Sequence, residues 1–403
     1  MTVRTAMIVW NTFVADARVR NEAKTLTEAG YQVDIYARMP KEGAPSKEEL
    51  WPGATLHRFP RTPKYGSGEA FVVRGRRRWL WWMHAFTQVL VQLRVVLEIA
   101  RSRPDVVHGH DVNTAIPAYL AAKLSRARFI YDAHEFSLDR EGYGHRLKKI
   151  VGCIEGCLMP RADATICTTP ALARVFARTY GVPRPIPLGN WPRTRPAGTA
   201  SVNLREWTQT PSERPLVLYQ GGLQPGRGLL RLVDAAARVP QVNLVLMGEG
   251  RLKEELQKRI DAHGEEVAKR IHLHPAVPLA DLLDITATAD IGVHPLQGGC
   301  LNHAYASPNK IFEYLHAGLP VVTSDLPEMR RIIGTETEDP PGVLAKESTE
   351  DLADTLLRLA QDPDRRSHLS IAANKAATRY CWEAQELILL GIYRNLLANK
   401  LCS

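Results

Sequence analysis

The amino-acid sequence predicts an α/β protein made of two doubly wound, Rossmann-like domains facing across a cleft, with a helical tail. Three observations carry this. Short β-branched runs alternate with longer helical patterns along nearly the whole chain. The alternation lapses once, in a Pro- and Gly-rich stretch around residues 185–215, and then restarts. From residue 349 onward the pattern is helical only. Alternation of this kind implies parallel sheets covered by helices on both faces. The expected partition is a first domain over 1–190, a linker over 191–213 and a second domain over 214–380. A C-terminal helix over 381–403, able to pack back on the first domain, completes it.

Residues 5–10 read as the first strand, 16–29 as a helix stopped by Gly30, and 32–37 as the second strand. Strands at 105–109, 128–132 and 164–168 follow, with helices at 114–124, 144–159 and 170–180. After the linker come a strand at 215–220, a helix at 229–237, a strand at 243–248 and a helix at 252–263. Further strands fall at 271–274, 291–294 and 321–324. Ligands in open parallel sheets sit beyond the carboxyl ends of the strands, so the loops that follow strands are where function is sought.

Composition narrows the class. The net charge of +9 favours anionic partners, but the basic residues form no recognisable nucleic-acid-binding module. Six cysteines in 403 residues are too few for a disulfide framework. The first apolar stretch, residues 6–10, is too short for a signal sequence, so a cytoplasmic setting is expected, at the inner face of the cell membrane. Cys153 and Cys157, one helical turn apart, read as small core residues.

Several loops could carry chemistry. The segment 221–228, Gly-Gly-Leu-Gln-Pro-Gly-Arg-Gly, lets backbone N–H groups approach an anion while Arg227 clamps it. It lacks the Lys and Ser/Thr of a nucleotide-binding P-loop. Gly248-Glu249-Gly250 begins a dinucleotide fingerprint but has Lys253 at the third glycine, which weakens a hydride-transfer reading. In segment 305–315, Ser307 suits an N-cap and Pro308 the first helical position, which puts Lys310 in the first turn. A cation there opposes the helix dipole unless an anion occupies the helix end; the plain alternative is a solvated lysine on a capped surface helix. Glu313, one turn on, can accept hydrogen bonds from sugar or ribose hydroxyls. His134 follows a strand and can donate to a sugar hydroxyl or a developing alkoxide. His108 and His110 fall on one face of a strand, with no third metal ligand identifiable from the sequence. Asp362-Pro363-Asp364 reads as a turn and helix cap.

Together these segments resemble the retaining glycosyltransferases of GT-B fold, near family four. The resemblance spans nearly the whole chain and is most specific over 307–328, Ser-Pro-Asn-Lys-Ile-Phe-Glu-Tyr through Asp-Leu-Pro-Glu. Segments 219–222 with Arg227-Gly228, 247–250, 289–295, 131–135 and 16–26 support it. The resemblance implies transfer of a sugar from a UDP- or GDP-sugar, with retention and without metal or other cofactor. The acceptor would be a glycan or lipid-linked molecule of envelope or polysaccharide synthesis. It implies that His134, Glu313, Arg227 and Lys310 are the catalytic set, with Gly221, Gly222, Arg227, Asn309 and Lys310 at the diphosphate. Gly248, Glu249, Gly250, His274, Val277 and Glu313 would hold the nucleoside, and His134, Tyr305 and Ser307 the donor sugar. Asn11, Arg18, His110, Asp111 and Glu135 would lie on the acceptor side. Three departures are visible. Tyr305 stands where the family has the first of two glutamates, Gly221-Gly222 replaces a Gly-Arg pair, and Asn11-Thr12-Phe13 replaces a glycine pair. A sugar-nucleotide epimerase of the same fold, or a subunit that kept the scaffold without catalysis, remains the alternative.

Arg74, Arg76, Arg77 and Arg78 with Trp79, Trp81 and Trp82 precede a helical pattern running to Arg101. Arginine beside tryptophan suits peripheral contact with an anionic membrane interface.

Overall fold

The computed structural model describes residues 2–14, 16–60, 78–140, 143–195, 198, 200–334 and 339–401. Arg74, Arg76 and Arg77 lie outside them, as do the side chains of Arg78, Trp79, Trp81 and Trp82. The chain divides into two compact units, Met1–Leu188 with Glu386–Ser403, and Gly189–Gln385.

The first unit holds β1 (Arg4–Ile8), β2 (Gln32–Arg38), β3 (Lys47–Trp51), β4 (Ala54–Phe59), β5 (Val106–His110), β6 (Arg128–Ala133), β7 (Ala164–Cys167) and β8 (Ile186–Pro187). Their order is β3-β4-β2-β1-β5-β6-β7-β8, parallel except for the β3–β4 pair. The order reverses between β1 and β5, so the loops after these strands diverge and open a crevice. The helix Ala17–Glu28 starts where the Asp16 carboxylate accepts from Val19 N at 3.1 Å. The C-terminal helix contributes Tyr393, fully buried, whose ring meets Tyr31 edge-on at 5.7 Å.

The second unit holds β9 (Leu216–Gln220), β10 (Asn243–Met247), β11 (Ile271–His274), β12 (Ile291–His294), β13 (Val321–Ser324) and β14 (Gly342–Ala345). All pairs are parallel, in the order β11-β10-β9-β12-β13-β14. β9 and β10 are buried along their whole length, as strands covered on both faces must be. The order reverses between β9 and β12, which places the crevice beside Gly221 and His294. Residues 191–213 group with this unit and include the short helix Leu204–Trp207, capped by Asn203.

Four strands, β3, β4, β8 and β14, and one helix start differ from the sequence expectation. β3 and β4 were not expected, because β3 is a charged, largely exposed edge strand with no apolar alternation. The helix after Tyr305 begins one residue later than its capping pattern suggests: Asn309–His316 is helical and Pro308 itself is the N-cap residue. Asp362 does cap the helix Pro363–Ala377, accepting from Arg365 N at 2.8 Å. Cys153 and Cys157 are exposed rather than core residues. Their helix, His145–Leu158, buries the face of Val151, Gly152, Glu155 and Leu158.

Candidate functional site

In the second unit a cavity of about 580 Å³ opens at the carboxyl ends of the central strands, walled by Gly221, Arg227, Met247, Val277, Lys310 and Glu313 among others. The backbone at its floor requires glycine. At Gly248, φ is +152° and a Cβ would lie 2.0 Å from the Gly221 carbonyl oxygen. At Gly221, φ is +119° and a Cβ would lie 3.0 Å from Lys310 Nζ. The two strand ends therefore approach as closely as bare backbone allows, which is the surface an anion needs to reach N–H groups.

Glu313 faces this cavity, held by a relay that no local pattern announces. Gln220 Nε2 donates to Glu313 Oε2 at 2.5 Å, and Thr286 Oγ1 donates to Gln220 Oε1 at 2.7 Å. Burial pushes the Glu313 carboxyl up, while the Gln220 hydrogen bond and the Lys310 charge oppose it. Lys310 Nζ lies 3.9 Å from the centroid of the Tyr219 ring, and the Tyr219 hydroxyl is fixed on Gly222 O at 3.0 Å. Lys310 borders open cavity, yet protein crowds around its ammonium. That burial, with the Arg227 charge added, lowers its pKa to about 7 against the pull of Glu313. Behind them, His294 is fully buried at the end of β12. The result is a basic pocket with one oriented carboxylate, a shape suited to a diphosphate joined to a diol.

The first unit gathers a second set. Arg18, 3% exposed, donates to Asp132 from Nε at 2.8 Å and from Nη2 at 2.9 Å, and to Leu188 O from Nη1 at 2.7 Å. Its Nε also lies 3.1 Å from Glu22. Burial would raise the Asp132 pKa, but Arg18 and then His134 hold it well below the usual carboxylate range. Glu22 goes the other way, with burial outweighing Arg18 to bring it to about 7. His134, 20% exposed at its side chain, lies 3.6 Å from Asp111 and 3.4 Å from Asp132. Burial would lower its pKa, but these two carboxylates raise it to about 9.

Glu22, His108, His110 and Asp132 offer potential metal-ligand atoms within 4.8 Å of one another. The third and fourth partners that the sequence withheld are thus present. The arrangement is nonetheless a poor chelate. The two imidazoles stack at 4.2 Å and 28°, so their in-plane lone pairs do not converge, and Arg18 already engages both carboxylates. The set reads as a buried ion-pair network.

Two family models match this chain: "Glycosyl transferase 4-like domain" over residues 15–191 and "Glycosyl transferases group 1" over residues 214–362. The chain belongs to the family-four-like glycosyltransferases. It is 25% identical over 391 residues to D-inositol 3-phosphate glycosyltransferase of Xylanimonas cellulosilytica, covering 92% of this chain and 89% of that one. It is 25% identical over 317 residues to the sulfoquinovosyl transferase SQD2 of Arabidopsis thaliana, covering 72% and 56%. Among solved structures, sucrose-phosphate synthase of Thermosynechococcus elongatus superposes with a TM-score of 0.76 at 17% identity, covering 98% of this chain and 100% of that one. Anabaena HepE, solved in complex with UDP-glucose, gives 0.73 at 14%, covering 97% and 99%. These similarities establish the GT-B fold for the glycosyltransferase.

Of the residues singled out from the glycosyltransferase's sequence, Gly221, Gly222, Arg227, Gly248, Glu249, Val277, Asn309, Lys310 and Glu313 border the one cavity. Gly250, His274, Tyr305 and Ser307 are not among its walls. Gly250 instead lets the loop pack, since a Cβ there would lie 2.1 Å from Leu223 O. His274 bonds Pro275 O at 2.8 Å through Nδ1 and meets Trp207 edge-on at 4.7 Å. In the first unit Arg18 and His110 are buried, 3% and 2% exposed, and their polar atoms face the network. Asn11 is exposed and bonds Phe13 N and Asp16, and Glu135 pairs with Arg140 at 3.1 Å. The sequence reading missed Gln220, Thr286, Glu22 and His294. Gln220, Glu22 and His294 lie inside the matching segments 219–222, 16–26 and 289–295, whereas Thr286 lies in none of them.

Proposed function

We propose that this glycosyltransferase moves a sugar from a UDP- or GDP-sugar to a glycan or lipid-linked acceptor with retention at the anomeric carbon. The observation that carries this is the basic, glycine-floored cavity with Glu313 oriented by Gln220. Glu313 accepts the ribose hydroxyls, while Arg227, Lys310 and the start of the helix Asn309–His316 receive the diphosphate. HepE, whose fold is alike, was solved with UDP-glucose, which supports a nucleotide-sugar donor here.

In the transfer the acceptor oxygen bonds the anomeric carbon as the bond from that carbon to the phosphate oxygen breaks. The acceptor proton leaves on the diphosphate oxygen on the same face. What must be stabilised is charge growing on the leaving diphosphate. Two cations and a helix N-terminus meet it without calling on a metal. Binding of UDP-, GDP-, ADP- and dTDP-sugars to the purified chain, read by thermal shift, tests the site. Turnover that retains anomeric configuration by NMR, and that is lost in Glu313→Ala, supports the reaction. Epimer formation without acceptor, or full turnover by Glu313→Ala, refutes it.

A lipid-linked acceptor is supported by the surface of the first unit. Along the helix Arg78–Ser102, the exposed side chains Met83, Phe86, Leu90, Leu93 and Leu97 recur at helical spacing. Ile116, Leu120 and Leu124 extend the exposed apolar surface on the packed neighbouring helix. The exposed cations Arg94, Arg101 and Lys123 lie on the same two helices and Arg126 caps the second, a composition suited to an anionic bilayer surface. Among the described residues no helix is long and apolar enough to cross a membrane. Flotation with anionic vesicles, lost in a Phe86/Leu93/Leu97→Ser variant, is the expected result; equal flotation of both proteins contradicts it.

A further inference from the structure

Two basic groups, Lys310 on the cavity wall and His294 behind it, lack the partners that basic groups ordinarily have. Lys310 makes no ion pair among the described residues, resting instead on the Tyr219 ring. The nearest carboxylate, Glu313, is turned to Gln220. His294 is fully buried, and neither of its ring nitrogens has a hydrogen-bond partner. Unpaired buried nitrogens are costly, and a native structure keeps them for a reason. The charged groups facing His294 are Lys310, Arg227 and His303, all basic; those facing Lys310 are Arg227 and Glu313. His303 is committed elsewhere, its Nδ1 bonding Gln297 O at 2.7 Å.

Burial first, and then the positive neighbours, hold the His294 imidazole uncharged, just as burial and Arg227 bring Lys310 down to about 7. The free pocket is therefore short of the positive charge that its residue types suggest. A diphosphate esterified at both ends brings two negative charges and no proton of its own near neutrality. Its arrival reverses the electrostatics, favouring the charged form of each nearby base.

We propose, on the reading of this cavity as the donor site, that binding of the sugar nucleotide is coupled to net proton uptake, with Lys310 and His294 as the proton acceptors. His294 thereby becomes a positioning residue. It acts on the reaction electrostatically, through the fields of Lys310 and Arg227, and it supplies charge only while the diphosphate is present.

The sign follows from linkage. A base whose pKa rises on binding tightens the complex at low pH and weakens it as pH climbs above the free-state value. At pH 8, Lys310 alone would take up about 0.9 proton, and His294 adds to this. The test is calorimetric titration of the intact chain with UDP-glucose and GDP-mannose at pH 6.5, 7.5 and 8.5, in buffers of differing ionisation enthalpy. Expected are an uptake that rises with pH and passes about 0.9 proton by pH 8.5, and a dissociation constant that rises about tenfold or more from pH 7.5 to 8.5. The His294→Asn protein should bind with a smaller uptake at every pH. Binding by the wild type with negligible uptake at all three pH values overturns the proposal. An unchanged count in His294→Asn removes His294 from it. If none of the UDP-, GDP-, ADP- or dTDP-sugars binds at all, the donor-site reading itself fails, a result distinct from binding without protons.

Discussion

Replacing Arg18 by methionine removes the guanidinium that engages both Asp132 and Glu22. Asp132 would lose both guanidinium hydrogen bonds, at 2.8 and 2.9 Å, and Glu22 its contact at 3.1 Å. The Leu188 carbonyl would lose a donor at 2.7 Å as well. Deleting one partner of a buried pair typically costs about 3–5 kcal/mol, since the other is left charged and unpaired. His110 and His134 remain beside Asp132, at 3.3 and 3.4 Å, so the lower end, about 3 kcal/mol, is expected at pH 8. The deficit should shrink at low pH. Glu22 already has its folded pKa raised from 4.5 to about 7, and losing Arg18 raises it further. A group of that kind contributes stability that is complete below 4.5 and lost as pH rises through its folded pKa, so protonation at pH 5.5 relieves the variant. Urea unfolding followed by circular dichroism at both pH values gives the two numbers. A loss under about 1 kcal/mol at pH 8, or a larger loss at pH 5.5 than at pH 8, refutes this account of the network. Unchanged stability with abolished turnover would instead make Arg18 an acceptor contact.

Three further expectations are cheaper to check. Glu155 accepts from Tyr131 at 2.8 Å, Ser137 at 3.0 Å and Tyr180 at 2.9 Å, and burial raises it from 4.5 to about 7. Its contribution is complete below 4.5 and falls by about 3 kcal/mol as pH rises through 7, so the thermal midpoint of Glu155→Gln should vary less between pH 5 and 8 than that of the wild type. Gln220→Ala frees the Glu313 carboxylate without touching it, and loss of a hydrogen bond to a charged group, about 1.5–3 kcal/mol, should raise the donor KM at least tenfold; an unchanged KM would show that Glu313 does not bind donor. Cys153 and Cys157 are exposed whereas Cys167 and Cys381 are buried, so a chromogenic disulfide reagent should label the first pair in the native protein and the second only in denaturant.

The fold was readable because its signal is long and periodic. Apolar strands such as Leu216–Gln220 and Asn243–Met247 are buried on both faces and stand out against amphipathic helices. The glycine loops announce themselves for the same local reason, since only glycine tolerates the backbone at 221 and 248. What was not readable is built from distant pairs. Arg18 meets Asp132 across 114 positions, and Thr286 meets Gln220 across 66. Nothing in a window of neighbours reports such pairings. The helix start at Asn309 slipped because Ser307 and Pro308 are a good capping pattern locally, and the tertiary setting begins the helix one residue on. The exposure of Cys153 and Cys157 depended on which face of an amphipathic helix is covered, a question that residue type alone answers poorly.

The last turns of the chain complete the first unit: Tyr393 seals His108 at 3.0 Å, and Thr25 bonds Glu386 at 2.9 Å. During synthesis the ribosome must therefore release residues 386–401 before the amino-terminal half can close its own interior. The later-made half, Gly189–Gln385, is one continuous stretch of chain. Order of translation and order of completion are thus inverted, and the nascent amino-terminal half is the part that chaperones would guard longest.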